Sequence, residues 1–249
     1  MLKNKENRSL PPFVLADFAD GSWHAASFAM SFLWEKEHPF YILQTFKNPE
    51  CGLFMPRRLS HKLKEITLHE LQQLKHKLIN NYKIEKKKVK TLSIEGSLNK
   101  VLHYDPKLKK NYNVVIGTYS LFVHSTSMQL RCLGKIVNTS KHPLFIVPDE
   151  FGSTKNKELL FVVNLSKMPS NQLVEKIMNI CHTTNSELEM LLVVNKKSQE
   201  IGREVKEKYT RLFPDIKVTV NQIAHSSKHK GIKQHLKHKP YDLLIIDNE

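Results

Sequence analysis

The sequence predicts an α/β protein in which helices cover both faces of a parallel sheet, a three-layer arrangement. First, short apolar runs alternate along the chain with segments of helical periodicity, which is the pattern of βαβ units with right-handed crossovers. Second, these runs are almost continuously apolar, as at residues 114–116. Such runs are typical of strands whose two faces are both buried. Third, the pattern occurs twice, which predicts two domains in tandem.

The first half of the chain contains five predicted strands, at residues 12–17, 39–46, 89–94, 113–118 and 143–147. Four helices are predicted between them, at residues 22–36, 67–83, 97–104 and 127–139. Thr67 and Glu70 have the spacing of a capping box, which would begin the second helix at Thr67. The leucines that follow predict one apolar stripe on that helix, formed by Leu68, Leu71, Leu74 and Leu78.

The second half repeats this order with fewer elements. Its predicted strands are at residues 158–164, 187–194, 216–222 and 241–247, and its helices at residues 170–183, 197–212 and 228–238. The halves share a degenerate internal repeat. It is indicated by three pairs of similar segments, 14–17 with 161–164, 41–43 with 190–192, and 112–116 with 241–245. We therefore expect one domain at residues 1–149, a linker at residues 150–157 and a shortened second domain at residues 158–249.

The composition is that of a folded, basic protein. The apolar fraction of 40% is sufficient for a core, which excludes a disordered chain. The 39 Lys and Arg residues exceed the 24 Asp and Glu residues, giving a net charge of +15. An excess of this size attracts nucleic acid or anionic surfaces, although a lysine-rich solvated surface is the interpretation that the sequence favours. Nucleic acid therefore remains an alternative partner.

The sequence predicts a cytoplasmic protein with no membrane partner. No apolar run approaches the roughly 20 residues that span a bilayer, and the first residues lack the apolar segment of a signal peptide. The three cysteines, Cys51, Cys132 and Cys181, have no metal-binding or redox spacing. They fit reduced thiols in a cytoplasmic protein.

The segment at residues 117–148 has the order of a nucleotide-binding loop. An apolar run leads into Gly117, a helical pattern follows, and a short strand ends at Pro148. This order presents backbone N–H groups to a phosphate in α/β domains. A phosphate loop needs several glycines for close backbone approach, yet none occurs between Gly117 and Gly134. The segment therefore has the strand, loop and helix of such a site, which we call the frame, but it lacks the glycine-rich loop that would bind phosphate.

This frame resembles the universal stress protein family. In its ATP-binding members the loop reads Gly, two residues, Gly, nine residues, Gly, then Ser or Thr. Counted from Gly117, those later positions hold Ser120, Leu130 and Arg131. Residues 13–22 resemble the first strand of the family, whose terminal aspartate, here Asp17, lies beside the adenine in nucleotide-binding members. The resemblance covers residues 10–150 and implies Rossmann-like domains of the adenine nucleotide alpha hydrolase-like type.

The resemblance implies a vestigial site for ATP or AMP, formed by Asp17, Gly96, Gly117, Thr118, Ser120 and Arg131. Each residue also has a structural interpretation. Asp17 would equally cap a helix, Gly96 would serve a tight turn between strand and helix, and Arg131 would be a surface residue. The missing glycines predict that the chain does not bind ATP tightly, so no cofactor is assigned.

Four histidines lie close together near the end of the chain. His225 and His229 are four residues apart, and His235 and His238 are three apart, so each pair could share a helix face and bind a transition metal. No cysteine or carboxylate accompanies them nearby in the sequence, and the lysines of residues 228–239 oppose a cation. We therefore predict a basic, solvent-exposed helix and no metal. Residues 86–90 and 107–110 are further basic clusters.

The predicted function is binding rather than catalysis, because no nucleophile elbow, Walker loop or His-Glu-x-x-His motif is present. The resemblance implies a stress-response or signalling module. The alternatives are an adenine-nucleotide sensor or weak ATPase, and a basic nucleic-acid- or ribosome-associated protein. Members of the family pair through their fifth strands, for which residues 144–147 qualify. The second domain has no equivalent, which predicts either a homodimer or a pseudo-dimer within one chain.

Overall fold

A computed structural model describes residues 10–16, 21–46, 57–96, 101, 112–118, 137, 142–148, 151, 157–163, 167–194, 203–239 and 241–247. The strands of the first half are β1 (Pro12–Leu15), β2 (Phe40–Phe46), β3 (Val89–Glu95), β4 (Asn113–Thr118) and β5 (Leu144–Pro148). Its helices are α1 (Gly21–Phe28), which continues into a π-helical turn (Ala29–Leu33), and α2 (Arg57–Tyr82).

The second half contains β6 (Glu158–Val163), β7 (Glu187–Val194), β8 (Val218–Ala224) and β9 (Leu243–Ile246). Its helices are α3 (Asn171–Thr184), α4 (Arg203–Thr210) and α5 (Lys228–His235). The ends of α3 are set by local sequence. The Ser170 hydroxyl accepts a hydrogen bond from the Leu173 N–H, and Asn185 ends the helix in the left-handed conformation with φ of 50°.

The nine strands within the described residues form one sheet, in the order β3-β2-β1-β4-β5-β9-β6-β7-β8. Neighbouring strands are parallel except at the junction of the halves, where β5 and β9 are antiparallel with Phe145 opposite Ile245. The predicted α/β class is confirmed. Within one chain, β5 covers the edge of β9, so the missing fifth strand of the second half does not leave that edge open. This pairing removes the reason for expecting a second chain there.

The core lies on both faces of this sheet, as the continuous apolar runs predict. Val14 and Phe161 are fully buried on one face, and Phe13 and Leu160 are fully buried on the other. Phe151 lies within the predicted linker, yet it is buried, and its ring makes an edge-to-face contact with Phe28 of α1 at 5.1 Å between centroids. This contact anchors the start of the second half to the first.

The capping-box prediction for α2 is wrong. The helix begins by Arg57, and Thr67 lies in its interior, where the hydroxyl donates to the Leu63 carbonyl at 2.7 Å. A threonine inside a helix can donate its hydroxyl to a carbonyl of the preceding turn in this way. The spacing of Thr67 and Glu70 is therefore compatible with a helix interior as well as with a helix start. The predicted apolar stripe is confirmed for Leu71, Leu74 and Leu78, which pack against the core. Leu68 is the exception, because it is 37% exposed whereas the neighbouring Thr67 is 1% exposed.

The other element boundaries agree with prediction to within a few residues where the chain is described. Apart from the start of α2, the largest differences are at helix ends, since the π-helical turn after α1 ends at Leu33 instead of residue 36 and α5 ends at His235 instead of residue 238. The strands β8 and β9 each begin two residues later than predicted. The predicted helices at residues 97–104 and 127–139 lie outside the described residues, apart from Val101 and Val137, which are both buried. None of the described helices is long and apolar enough to cross a bilayer.

A lysine of the second half contacts the first half at the end of the π-helical turn. Lys176 of α3 donates through Nζ to the Leu33 carbonyl at 3.0 Å, and its Nζ lies 3.7 Å from Glu35 Oε1. Leu33 is the last residue of the π-helical turn, where carbonyls lack partners within the helix. Burial lowers the pKa of Lys176, while the charge of Glu35 acts in the opposite direction. The second half thus caps a helix of the first.

Candidate functional site

The predicted ligand site belongs to the carboxyl edge of the sheet, where open α/β sheets bind ligands. Gly117 and Thr118 are the last residues of β4, and Gly96 directly follows β3. The order of strands places β4 beside β1 and β3 two strands away from β1 on the other side. Asp17, Ser120 and Arg131 lie outside the described residues. Their assignment to a nucleotide site stays a prediction.

Gly117 lies against the start of α1 without room for a side chain. A Cβ atom at Gly117 would be 2.0 Å from the carbonyl oxygen of Gly21 and 2.4 Å from its carbonyl carbon. No pair of such atoms approaches so closely, and the obstacle is backbone, which cannot rotate away. The contact between β4 and α1 is therefore sufficient to explain this glycine. Phosphate binding is not needed to account for it.

Gly96 is required for a different reason, its backbone conformation. Its φ of 138° is rarely adopted by other residues, while the space around it is open, with Val101 Cγ2 at 3.7 Å from a Cβ placed there. The Gly96 N–H donates to the Phe46 carbonyl at 2.8 Å and so ends the pairing of β2 with β3. This geometry agrees with the tight-turn interpretation.

The second half makes the corresponding bond without a glycine. The His225 N–H donates to the Val194 carbonyl at 2.8 Å, where β7 and β8 end. His225 therefore occupies the position in the second half that corresponds to Gly96. Its ring also serves the local backbone, because Nδ1 accepts from the Ser227 N–H at 3.2 Å.

The carboxyl edge of the second half contains a buried acid that the sequence analysis missed. Asp247 follows β9 and is 1% exposed. Ile245 pairs with Phe161 as Val115 pairs with Val14, so Asp247 corresponds in position to Gly117. An aspartate directly after an apolar run was the signal that selected Asp17, and the same signal would have found Asp247.

Lys228 and Tyr209 accompany Asp247. Lys228 is the first residue of α5, and its Nζ donates to the Asp247 carbonyl oxygen at 2.6 Å. Burial lowers the pKa of Lys228 to about 8, although the charge of Asp247 raises it. Burial and Asp247 together raise the pKa of Tyr209. The carboxyl end of β9 is therefore held against the first residue of α5.

A second polar cluster lies near the opposite, amino edge, around Glu189 of β7. Glu189 Oε1 accepts from Asn221 Nδ2 at 2.8 Å and lies 2.7 Å from His235 Nε2. That nitrogen is also 2.8 Å from the Tyr241 hydroxyl oxygen, and Lys239 Nζ is 3.4 Å from Glu189 Oε2. Because a carboxylate only accepts hydrogen bonds, His235 carries its proton on Nε2.

The pKa values in this cluster follow from its hydrogen bonds. Burial would raise the pKa of Glu189, but hydrogen bonds from Asn221, Tyr241 and His235 outweigh it, and the pKa is lowered. Burial and the neighbouring Glu189 carboxylate raise the pKa of Tyr241. The cluster therefore holds Glu189 as a carboxylate and Tyr241 as a neutral phenol at neutral pH.

The prediction of a basic, solvent-exposed helix is wrong for His235, whose side chain is only 16% exposed. Glu189 of β7, which is distant in sequence, supplies the carboxylate that contacts this helix through His235. Among the residues that the structure describes, no group of three His, Cys, Asp or Glu side chains could hold a metal ion. Burial and the charges of Lys233 and Lys230 also lower the pKa of His229.

The chain was compared with known proteins. No protein-family model and no curated protein matches it. A solved structure of a universal stress protein from Archaeoglobus fulgidus DSM 4304 is similar over 96% of both chains, with a TM-score of 0.54 and 13% identity. A putative universal stress protein from Pseudomonas aeruginosa UCBPP-PA14 aligns with 86% of this chain and 73% of its own, with a TM-score of 0.40 and 9% identity. The first likeness shows that this chain has a universal stress protein-like fold.

Proposed function

We propose that this chain is a cytoplasmic stress-response or signalling module of the universal stress protein type, built from two tandem domains, that acts by binding rather than catalysis. The similarity to the Archaeoglobus structure along 96% of the chain supports the fold-level part of this proposal. The repeated strand order, β3-β2-β1-β4 in one half and β8-β7-β6-β9 in the other, supports the tandem organisation. A fold does not specify a ligand, so the ligand argument depends on the crevice.

The protein does not bind ATP tightly in this proposal. The observation that carries it is the contact of Gly117 with Gly21, where even one added carbon would lie 2.0 Å from a backbone oxygen. The one loop glycine that the chain retains therefore has a packing role. The other positions hold Ser120, Leu130 and Arg131, whose side chains oppose the close backbone approach that a phosphate needs.

We expect millimolar ATP with Mg²⁺ to leave the melting temperature of the purified protein unchanged. A ligand that binds only the folded state adds about 2.7 kcal/mol at 100 times its dissociation constant. Tight binding would thus give a shift of several degrees by scanning fluorimetry. ADP, AMP and Mg²⁺ alone serve as controls. A saturable shift with ATP would contradict the proposal.

Such a shift would favour the alternative, an adenine-nucleotide sensor or weak ATPase. The substitution Asp17→Ala then distinguishes binding at the vestigial site from binding elsewhere, because the family resemblance places this carboxylate beside adenine. Loss of the shift in Asp17→Ala would establish binding at the vestigial site, and retention would place the nucleotide elsewhere.

In this proposal the protein is a pseudo-dimer within one chain rather than a homodimer. The pairing of β5 with β9 supports it, since the edge that a partner would cover is already paired. We expect light scattering at micromolar concentration to give the single-chain mass of 29.0 kDa. Twice that mass would support a homodimer through another surface.

A further inference from the structure

A basic groove lies at the outer edge of the sheet, around the amino end of β3. Its volume is about 640 Å³. Four lysines from three elements line it: Lys75 of α2, Lys86 and Lys87 of the turn before β3, and Lys90 of β3. Tyr41 and Leu92 complete its apolar floor. We call this set of six residues the basic groove.

The charges of the basic groove are poorly compensated. None of the described residues that line it is acidic. Glu85, just outside, pairs with Lys87 at 2.7 Å, and both side chains are largely exposed, where an ion pair contributes little. Burial and the charges of Lys86 and Lys90 lower the pKa of Lys75, which places these ammonium groups within mutual electrostatic reach. An anion in the groove would relieve this repulsion.

Protection of an edge strand explains only part of this arrangement. Lysine on an edge strand discourages pairing with other chains, and Lys90 meets that need. Lys75 has a related role, because its Nζ donates to the Val89 carbonyl of the edge strand at 2.7 Å. Lys86 and Lys87 lie on the preceding turn, outside the strand, and an aromatic ring in the groove has no part in edge protection.

We propose that the basic groove binds the phosphate backbone of single-stranded nucleic acid. Proteins that bind single strands combine a positively charged groove, which follows the backbone, with aromatic side chains against which bases stack. The groove offers both, because its lysines surround Tyr41. The Tyr41 ring is partly buried against Phe13 and Tyr112, at centroid distances of 6.0 and 5.5 Å, and also lines the groove, where a base could contact it. The net charge of +15 would attract such a strand from a distance. This function is additional to the stress-response proposal and does not depend on it.

The test uses the full chain and a fluorescein-labelled 20-nucleotide single strand, with binding followed by fluorescence anisotropy at several salt concentrations. About three phosphate contacts would give a slope near −2 in log affinity against log salt. We expect Lys86→Gln, Lys87→Gln and Lys90→Gln together to weaken binding by about tenfold or more and to reduce the slope. These side chains are exposed, so the melting temperature should stay within about 2 °C of the wild type.

The matched control is Lys230→Gln, Lys233→Gln and Lys237→Gln, which removes the same charge from α5 and the turn after it. We expect this control to weaken binding by less than about threefold. An equal loss in both variants would overturn the proposal in favour of attraction by net charge. Equally tight, groove-dependent binding of a polyglutamate peptide would overturn it in favour of an acidic protein partner. Absence of binding by the wild type at low salt would also overturn it.

Discussion

Replacing Gly117 with alanine is expected to lower the free energy of unfolding by about 3 kcal/mol or more, at the upper end of the cost of overpacking. The added methyl group would lie 2.0 Å from the Gly21 carbonyl oxygen. Only a movement of α1 away from β4 would relieve the overlap. Because α1 carries Phe28 into the core, that movement would also disturb the packing against Phe145 and Phe151. Urea denaturation measures the loss.

Gly231→Ala is the matched control, because it adds the same methyl group at a buried position. There the nearest atom is Val193 Cγ1, at 2.7 Å, which belongs to a side chain and not to the backbone, although a valine has little rotamer freedom. We expect a loss of about 1 kcal/mol, and the helical position of Gly231 offsets part of it, since alanine favours helices. The comparison separates backbone overlap from side-chain crowding.

The Gly117 result also tests the interpretation of the crevice. If Gly117 served mainly to admit a phosphate, alanine would leave the stability of the unliganded protein nearly unchanged. Stability within about 0.5 kcal/mol of the wild type, the usual range for a surface substitution, would therefore contradict the packing explanation. It would also weaken the proposal that the protein does not bind ATP tightly.

The sequence was sufficient to predict the fold class because strands buried on both faces leave short, continuous apolar runs, and these alternate with segments of helical periodicity. It predicted the start of α2 wrongly because Thr67 and Glu70 fit a helix interior as well as a cap. It also could not predict that β5 pairs with β9, since both runs are apolar and direction is not encoded in composition.

The polar sites were harder to predict because their partners are distant in the sequence. Glu189 is a lone acid within a strand pattern, and nothing local shows that His235 and Tyr241 reach it. Similarly, the role of Gly117 depends on Gly21, which only the folded chain brings against it. By contrast, Asp247 directly follows an apolar run, and attention to that local signal in both halves would have identified it.

Glu189→Gln is expected to lower the free energy of unfolding by about 2–3 kcal/mol at neutral pH. The substitution keeps the shape but removes the charge and replaces an acceptor by an N–H group that faces other donors. Breaking a buried, hydrogen-bonded charge by changing one partner typically costs about 3–5 kcal/mol, and the partial exposure of Lys239 moderates the loss. Glu158→Gln is the control, because Glu158 pairs with the same Lys239 but is 48% exposed. It should cost less than about 1 kcal/mol.

The pH dependence of this difference distinguishes a buried carboxylate from a loss of shape complementarity. The pKa of Glu189 is lower in the folded than in the unfolded protein. Its contribution is therefore present above the unfolded pKa, about 4.3, and is lost as the pH falls through the folded pKa. The stability gap between wild type and Glu189→Gln should therefore narrow as the pH falls below about 4. A gap that persists unchanged into acid would mean that the charge of Glu189 does not stabilise the fold.

Tyr241 should produce the opposite dependence in alkali. Its pKa is raised in the folded protein, so its contribution is present below the unfolded pKa, about 10, and is lost as the pH rises toward the folded value. Glu189 is one cause of that raised pKa, because an ionised Tyr241 would place a second negative charge beside the carboxylate. In Glu189→Gln this repulsion is absent, and the alkaline loss of stability should therefore be smaller than in the wild type. One substitution thus changes both ends of the pH profile, whereas a purely steric defect would lower stability equally at every pH.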